Sequence, residues 1–271
     1  MELKRLGSYQ EVDEQGYLIK LADASKIQSE WAEAVGALKE AYLERWGDAI
    51  HSIYIRGSVA KGWAVKGVSD LDSFAITVEG VKPDEMHTQE TFRAWALDLQ
   101  ERIKTQHPYV TGTEVGLTDW ETALDSAGIY AFMIKMETVC IYGDDLAERL
   151  PRYKPGPDIA FQTHYFRQHF DMFLEEYEGE PEDEKTEFLN WMMRRFLRLG
   201  MELVMAREGR YTRDLYLCYE SFSKHYPEKQ NEMYRALELA INPAVSAGTF
   251  EFVKDFGEWL ANEAQRTLEN I

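Results

Sequence analysis

Two aspartates that follow a glycine–serine pair are the residues of this sequence best suited to chemistry. Gly57 and Ser58 come after a short β-rich run, and Asp70 and Asp72 lie at the start of a second one. Residues two apart on a strand point to the same face, so the two carboxylates are expected to lie close together. Paired carboxylates suit Mg²⁺ or Mn²⁺, and glycine beside a serine hydroxyl can hold a phosphate. Together these features are the equipment for phosphoryl or nucleotidyl transfer.

The residues on either side of this pattern predict that both of its ends lie on buried strands. Ile53–Ile55 is apolar and β-rich, and Leu71 with Phe74–Ile76 continues the second strand past the aspartates. The alternative is a hairpin with a solvated acidic end, which the apolar residues around Asp72 argue against. The segment lacks the G-K-[S/T] ending of a P-loop, and no G-x-S-x-G surrounds Ser58, which disfavours a P-loop kinase and a serine hydrolase.

Three segments carry a likeness to known proteins. GSVAKG followed by SDLD resembles the signature of the nucleotidyltransferase superfamily that includes DNA polymerase β. The loop here is one residue longer, and a bulge is expected at 65–68. TVCIYGDDLAERL is similar to the segment that follows the catalytic domain in antibiotic nucleotidyltransferases. The region from RRFLRLG to LAINP resembles, by pattern, the C-terminal helical domain of aminoglycoside adenylyltransferases.

This resemblance implies an enzyme that moves a nucleoside monophosphate, with ATP as donor, to a hydroxyl of a small acceptor and releases pyrophosphate. Asp70 and Asp72 are then expected to bind two Mg²⁺ ions. The mechanism needs a third acid on a neighbouring strand, as a metal ligand or as the base that accepts the hydroxyl proton. Glu114, within YVTGTEVGLTDW, is the candidate with the right strand context. The alternative is an exposed acid on an edge strand.

Gly57 and Ser58 are expected to bind the nucleotide phosphates, together with arginines of the C-terminal half. Arg194 and Arg198 are four apart and share a helix face, so they could hold a triphosphate. The alternative is that they pair with nearby acids such as Glu202. Arg213 stands where the related adenylyltransferases often place a lysine on the nucleotide phosphates.

Composition narrows the choice of substrate and location. The 271 residues carry a net charge of −18, with 48 acidic and 30 basic residues, which makes nucleic acid an unfavourable partner and favours a cationic one. Cys140 and Cys218 have no metal-binding spacing and are interpreted as buried, reduced thiols. No apolar run reaches transmembrane length, so the protein is expected in the cytoplasm, without membrane partners.

The elements that must position these residues form an α+β protein. We predict a mixed-sheet nucleotidyltransferase domain over residues 1–150, a proline-rich linker at 151–157 and an all-α helical-bundle domain over 158–271. A capping box at Ser25 and Gln28 is expected to begin an amphipathic helix that ends at Gly47. A long core helix is expected from about 188 to 206, ending at Gly209.

The function predicted from these observations is that of an adenylyltransferase acting on a cationic, hydroxylated small molecule. An aminoglycoside antibiotic bound between the domains is the expected acceptor, so the protein would confer antibiotic resistance. Two alternatives stay open: a toxin-type transferase that AMPylates proteins, and a nucleotide-binding partner protein without catalysis.

Overall fold

The computed structural model describes residues 7–269 and divides the chain into two compact units. Ile19–Arg152 forms the first unit, and the chain from Tyr153 onward forms the second together with the described residues before Ile19. This N-terminal segment differs from the predicted division, which placed it with residues 19–150. It belongs to the helical unit because Gln10 N donates to the Tyr211 carbonyl at 2.8 Å, and the two residues form an isolated β-bridge.

A mixed sheet organises the first unit. Its strands are β1 (Ile50–Arg56), β2 (Leu71–Thr77), β3 (Thr113–Glu114), β4 (Leu117–Thr118) and β5 (Val139–Gly143). β1 is central and pairs antiparallel with both β2 and β5. The two short strands β3 and β4 lie along the other side of β2, parallel to it. The single strand expected between 109 and 120 is therefore two pieces separated by Val115 and Gly116.

Both faces of the sheet are covered, which explains why β1 and β2 are apolar almost throughout. The helices of this unit are α1 (Ala32–Trp46), α2 (Gly57–Lys61), α3 (Pro83–Met86), α4 (Gln89–Gln106), α5 (Trp120–Leu124) and α6 (Ile129–Met136). Ile53, Ile55 and Leu71 pack in one core with residues of α1 and α4. Tyr54 and Phe74 pack in a second core with residues of α5 and α6.

The amphipathic helix predicted in the first unit begins later than expected. α1 starts at Ala32, and Ser25 lies instead in a short 3₁₀ turn, Ala24–Lys26, whose cap is Asp23. The Asp23 carboxylate accepts hydrogen bonds from both the backbone N–H and the hydroxyl of Ser25, so the Ser25–Gln28 capping box is wrong. The apolar stripe and the helix end at Gly47 are confirmed.

The second unit is all-α in its described regular elements. They are α7 (Phe161–Glu176), α8 (Glu182–Glu202), α9 (Met205–Glu208), α10 (Leu215–His225), α11 (Gln230–Ile241) and α12 (Ala247–Glu269). α8 packs against α7, α10, α11 and α12 and is the centre of the bundle. The expected long helix is interrupted at Leu203–Val204, and α9 then ends at Gly209, which has a left-handed φ of 64°.

The α+β class is thus confirmed: a mixed sheet with helices on both faces in one unit, and a helical bundle in the other. Within residues 7–269, no helix is long and apolar enough to cross a membrane.

Candidate active site

Three charged side chains form a row across the sheet, where β1 ends and β2 and β3 begin. Arg56 of β1 pairs with Asp72 of β2, and Asp72 pairs in turn with Glu114 of β3. Directly paired residues on neighbouring strands point to the same face of a sheet. Because side chains alternate along a strand, this is the face that also carries Tyr54 and Phe74. The register therefore brings the predicted acids Asp72 and Glu114 together.

Gly57 is held against the central carboxylate of this row. Its φ of 74° lies in the left-handed region, which glycine adopts at no steric cost. A Cβ placed there would lie 2.7 Å from Asp72 Oδ2, closer than a side-chain carbon can approach an oxygen. The turn from β1 into α2 therefore requires glycine for its backbone angle and for the space that Asp72 fills.

Two buried polar atoms of the site have no hydrogen-bond partner among the described residues. They are the hydroxyl oxygen of Ser58, in α2, and Oδ1 of Asp72. Leaving a buried polar group unpaired costs about 1–3 kcal/mol, so such atoms often mark where a ligand supplies the partner. A serine hydroxyl suits a phosphate oxygen, and a carboxylate oxygen suits a metal cation.

Burial and the charges around Asp72 determine how easily its carboxylate ionises. Burial raises the pKa of Asp72 to about 7, and repulsion from Asp70 and Glu114 adds to this effect. Attraction from Arg56 and, more weakly, Lys61 opposes the rise in the pKa of Asp72. Asp70 is exposed, immediately before β2. A divalent cation at this place would favour the ionised form of both aspartates.

The Glu114 carboxylate forms an ion pair with Arg56. Its carboxylate Oε1 lies 2.5 Å from the Arg56 guanidinium Nη2, while 69% of the Glu114 side chain is exposed to solvent. The exposed edge position that the sequence offered as an alternative is therefore the position observed. It does not exclude a role in the site, because the register sets Glu114 beside Asp72.

The residues present fit Mg²⁺ in part. Asp70 and Asp72 supply the carboxylate oxygens that this ion prefers, and Asp72 Oδ1 lacks a partner. No group of three or more His, Cys, Asp or Glu side chains in the described chain is arranged to hold a metal ion. Glu114 is the predicted third ligand that is not free, since Arg56 binds it.

The arginines predicted to bind phosphate belong to the helical unit, and they differ in their exposure to solvent. Arg194 of α8 is exposed, whereas Arg198 of the same helix is half-buried, and its buried Nε has no hydrogen-bond partner in the described chain. Burial and the nearby Arg213 lower the pKa of Arg198 to about 10. The same two causes lower the pKa of Arg195 to about 10. Arg195, Arg198 and Arg213 thus form the cluster of positive charge, which we call the arginine cluster.

Arg195 is held in this cluster by aromatic neighbours. Its guanidinium lies 3.5 Å from the centroid of the Trp191 ring, and its Nε lies 3.4 Å from His169 Nδ1. Residues three apart share a helix face as well as residues four apart do, so Arg195 and Arg198 can lie together. This spacing was the signal in the sequence for Arg195.

Sequence reasoning assigned no role to Arg56 or Lys61, although both act on Asp72. Lys61 lies within the GSVAKG segment, and Arg56 directly precedes Gly57. Their effect on the Asp72 carboxylate is electrostatic and depends on how the strands and α2 are placed. The sequence showed the two positive charges but not which acid they face.

Comparisons with known proteins support the architecture. No family model matches this chain, and no curated protein sequence matches it either. Among solved structures, it is similar to the spectinomycin adenyltransferase AAD(9) from Enterococcus faecialis, crystallised with ATP and spectinomycin. The TM-score is 0.50 at 14% sequence identity, and the match covers 86% of this chain and 99% of that chain.

This likeness extends over nearly the whole of the adenyltransferase, so the fold resemblance predicted from the GSVAKG, SDLD and C-terminal segments is confirmed. At 14% identity it establishes the fold alone. The chemistry must be argued from the residues of the site.

Proposed function

We propose that this chain is a Mg²⁺-dependent nucleotidyltransferase that moves AMP from ATP to a hydroxyl of a small, cationic acceptor and releases pyrophosphate. The observation that carries the proposal is the arrangement of Gly57, Ser58 and Asp72. A glycine turn lies against a half-buried carboxylate, and one oxygen of that carboxylate and the Ser58 hydroxyl are buried without hydrogen-bond partners in the described chain. The Ser58 hydroxyl can donate a hydrogen bond to a phosphate oxygen, and Asp72 Oδ1 can bind a cation.

The phosphates of ATP are assigned to Ser58 and to the backbone at Gly57. The Ser58 hydroxyl donates to a phosphate oxygen and so gains the partner that it lacks. Lys61, close enough to act on Asp72, adds positive charge beside the same phosphates. In the helical unit, Arg198 and Arg213 of the arginine cluster remain proposed phosphate-binding residues. Arg194 stays a weaker candidate because its side chain is exposed.

Asp70 and Asp72 are the residues that would hold the metal. When bound, Mg²⁺ neutralises charge on the reacting phosphates and polarises the phosphorus–oxygen bonds. The two carboxylates contribute by fixing the place of that charge relative to Ser58. Burial of Asp72 strengthens its attraction to any cation, because less water screens the interaction.

Glu114 is assigned as the base. The acceptor oxygen forms a bond to the α-phosphorus while the bond from that phosphorus to the β-phosphate oxygen breaks. The electron pair of the broken bond leaves with pyrophosphate, and the hydroxyl proton passes to the Glu114 carboxylate. The exposed position of Glu114 leaves its second oxygen open to an acceptor, while Arg56 orients the first.

The acceptor is proposed to be an aminoglycoside or a similar aminocyclitol. The net charge of −18 creates a field that concentrates cations, and the structural neighbour was crystallised with spectinomycin. Conferring antibiotic resistance would be the biological consequence. A cationic acceptor should bind more weakly as salt rises, because salt screens this field.

The test is a pyrophosphate-release assay on the purified protein with ATP and Mg²⁺. Spectinomycin, streptomycin and a neutral polyol serve as acceptors, and mass spectrometry checks for addition of one AMP. Asp72→Asn should abolish release. Asp98→Asn, an exposed acid on α4, is the matched control and should leave release unchanged.

AMP found on spectinomycin or streptomycin, but not on the polyol, supports the proposal. Turnover with a neutral acceptor as fast as with either antibiotic would overturn the substrate assignment and leave nucleotidyl transfer standing. AMP attached to protein instead would favour the AMPylating alternative. No release with any acceptor, from protein that binds ATP, would leave the nucleotide-binding alternative.

A further inference from the structure

The ion pair between Arg56 and Glu114 crosses an entire strand. β1 and β3 are both neighbours of β2 and lie on opposite sides of it. Adjacent strands are about 4.8 Å apart, so the backbones of Arg56 and Glu114 are separated by roughly 10 Å. The Arg56 side chain must therefore extend over Asp72 to bring its guanidinium within 2.5 Å of the Glu114 carboxylate.

This path places a fixed positive charge between two acids. Arg56 is the strongest attractive charge acting on Asp72, and it bonds directly to Glu114. Its side chain is only 21% exposed, so water screens this charge weakly. A guanidinium also stays protonated at any pH at which the protein is folded. The region between Asp72 and Glu114 thus already contains a permanent cation.

The two oxygens of Asp72 have different surroundings. Oδ2 lies against the backbone of Gly57, so closely that a Cβ on that residue would be 2.7 Å away. Oδ1 is buried and has no hydrogen-bond partner in the described chain. Asp70, the other acid of the pair, is exposed and immediately precedes β2. One carboxylate pair with one open buried oxygen remains for an external cation.

We infer that Arg56 takes the place of a second metal ion, so that the site binds a single divalent cation at Asp70 and Asp72. This inference rests on the proposed function and corrects the expectation of two Mg²⁺ ions held by Asp70, Asp72 and Glu114. Arg56 is a positioning residue: it orients Glu114 and balances the negative charge that a second ion would otherwise attract. A second divalent ion beside the guanidinium would be repelled by it.

The experiment counts bound ions and does not depend on turnover. Mn²⁺ is titrated into the nucleotide-free protein, and free Mn²⁺ is followed by electron paramagnetic resonance. Wild type is expected to bind one Mn²⁺ per chain. Arg56→Met, which keeps much of the side-chain length but removes the charge, is expected to bind two.

Two further variants isolate the charge. Arg56→Lys keeps it and should bind one ion, and Arg93→Met changes an exposed arginine of α4 and should also bind one. Circular dichroism establishes that each variant is folded. If Arg56→Met is not folded, the wild-type count and Arg56→Lys still decide the matter.

Two ions per wild-type chain, or none, overturn the inference. So does a single ion in folded Arg56→Met. These outcomes are separate from the proposed function, because an active enzyme that binds two ions would retain that function and lose this inference. A protein that binds one ion and transfers no nucleotide would do the reverse.

Discussion

Glu202 offers a test of the structure that does not depend on any ligand. This acid of α8 is buried, and its Oε2 accepts hydrogen bonds from Thr163 N at 2.8 Å and from Thr163 Oγ1 at 3.0 Å. Burial nevertheless raises the pKa of Glu202 to about 7, because these donors and the charge of Arg213 offset the lost hydration only in part. The substitution Glu202→Gln keeps an oxygen that can accept both bonds and cannot ionise.

The sign of the pH effect follows from linkage. Between its ordinary pKa of 4.5 and its folded pKa of about 7, Glu202 binds a proton in the folded state and has lost it in the unfolded state. Wild-type stability therefore decreases as pH rises through this window and levels off above it. At about 1.4 kcal/mol for each pH unit, the decrease amounts to about 3 kcal/mol.

The assay is urea unfolding of wild type and Glu202→Gln at pH 5, 6, 7 and 8. The difference in the free energy of unfolding should be smallest at pH 5 and grow to about 3 kcal/mol in favour of the variant at pH 8. Taking the difference between two proteins cancels the other titrating groups. Glu187→Gln, an exposed acid of the same helix, is the control and should show no pH-dependent difference.

A difference that stays constant with pH would refute the reasoning. It would mean that Thr163 and Arg213 compensate the burial of Glu202 fully, so that its carboxylate is ionised in the folded state. A wild type more stable than the variant at pH 8 would refute it more strongly, since the charged form would then be the stabilising one.

The remaining predictions concern the site. Asp70→Asn and Asp72→Asn should each abolish pyrophosphate release, which corresponds to a loss of several kcal/mol in transition-state stabilisation. The circular dichroism spectra should be unchanged. Near-normal turnover of either variant at saturating Mg²⁺ would contradict this prediction. Ser58→Ala should weaken binding of a non-hydrolysable ATP analogue by about 1 kcal/mol in calorimetry, and Gly57→Ala by more, because its Cβ would displace Asp72; unchanged affinity in both would place the phosphates elsewhere. Glu114→Gln should lower kcat about 100-fold or more with little change in acceptor affinity; an equal loss in both would assign Glu114 to binding.

The parts of this protein that could be predicted from sequence are those set by neighbours along the chain. The apolar stripe of α1, the strands around Asp72 and the glycine ends at 47 and 209 all follow from residues a few positions apart. The start of α1 was wrong because Asp23 competes for Ser25, which makes a 3₁₀ turn more favourable than a capping box. Two local signals of similar strength cannot be ranked without the surrounding packing.

Contacts between distant parts of the chain could not be predicted in this way. The described residues up to Leu18 join the helical unit through hydrogen bonds such as that from Gln10 N to the Tyr211 carbonyl, and nothing in the local pattern of either segment indicates its partner. The arginines of α8 illustrate a milder case. Both Arg194 and Arg195 are one turn from Arg198, and the sequence does not show that Arg195 is the one that packs against Trp191 and His169.

The candidate active site depends both on residues that are close in sequence and on the pairing of strands that are distant in sequence. Gly57, Ser58, Asp70 and Asp72 are close in sequence, so their types and spacing were enough to propose phosphate and metal binding. The neighbours of Asp72 depend on register: a shift of one residue in β1 or β3 would turn Arg56 or Glu114 to the opposite face of the sheet. The positive charge that faces Asp72 is therefore a property of strand pairing rather than of the motif.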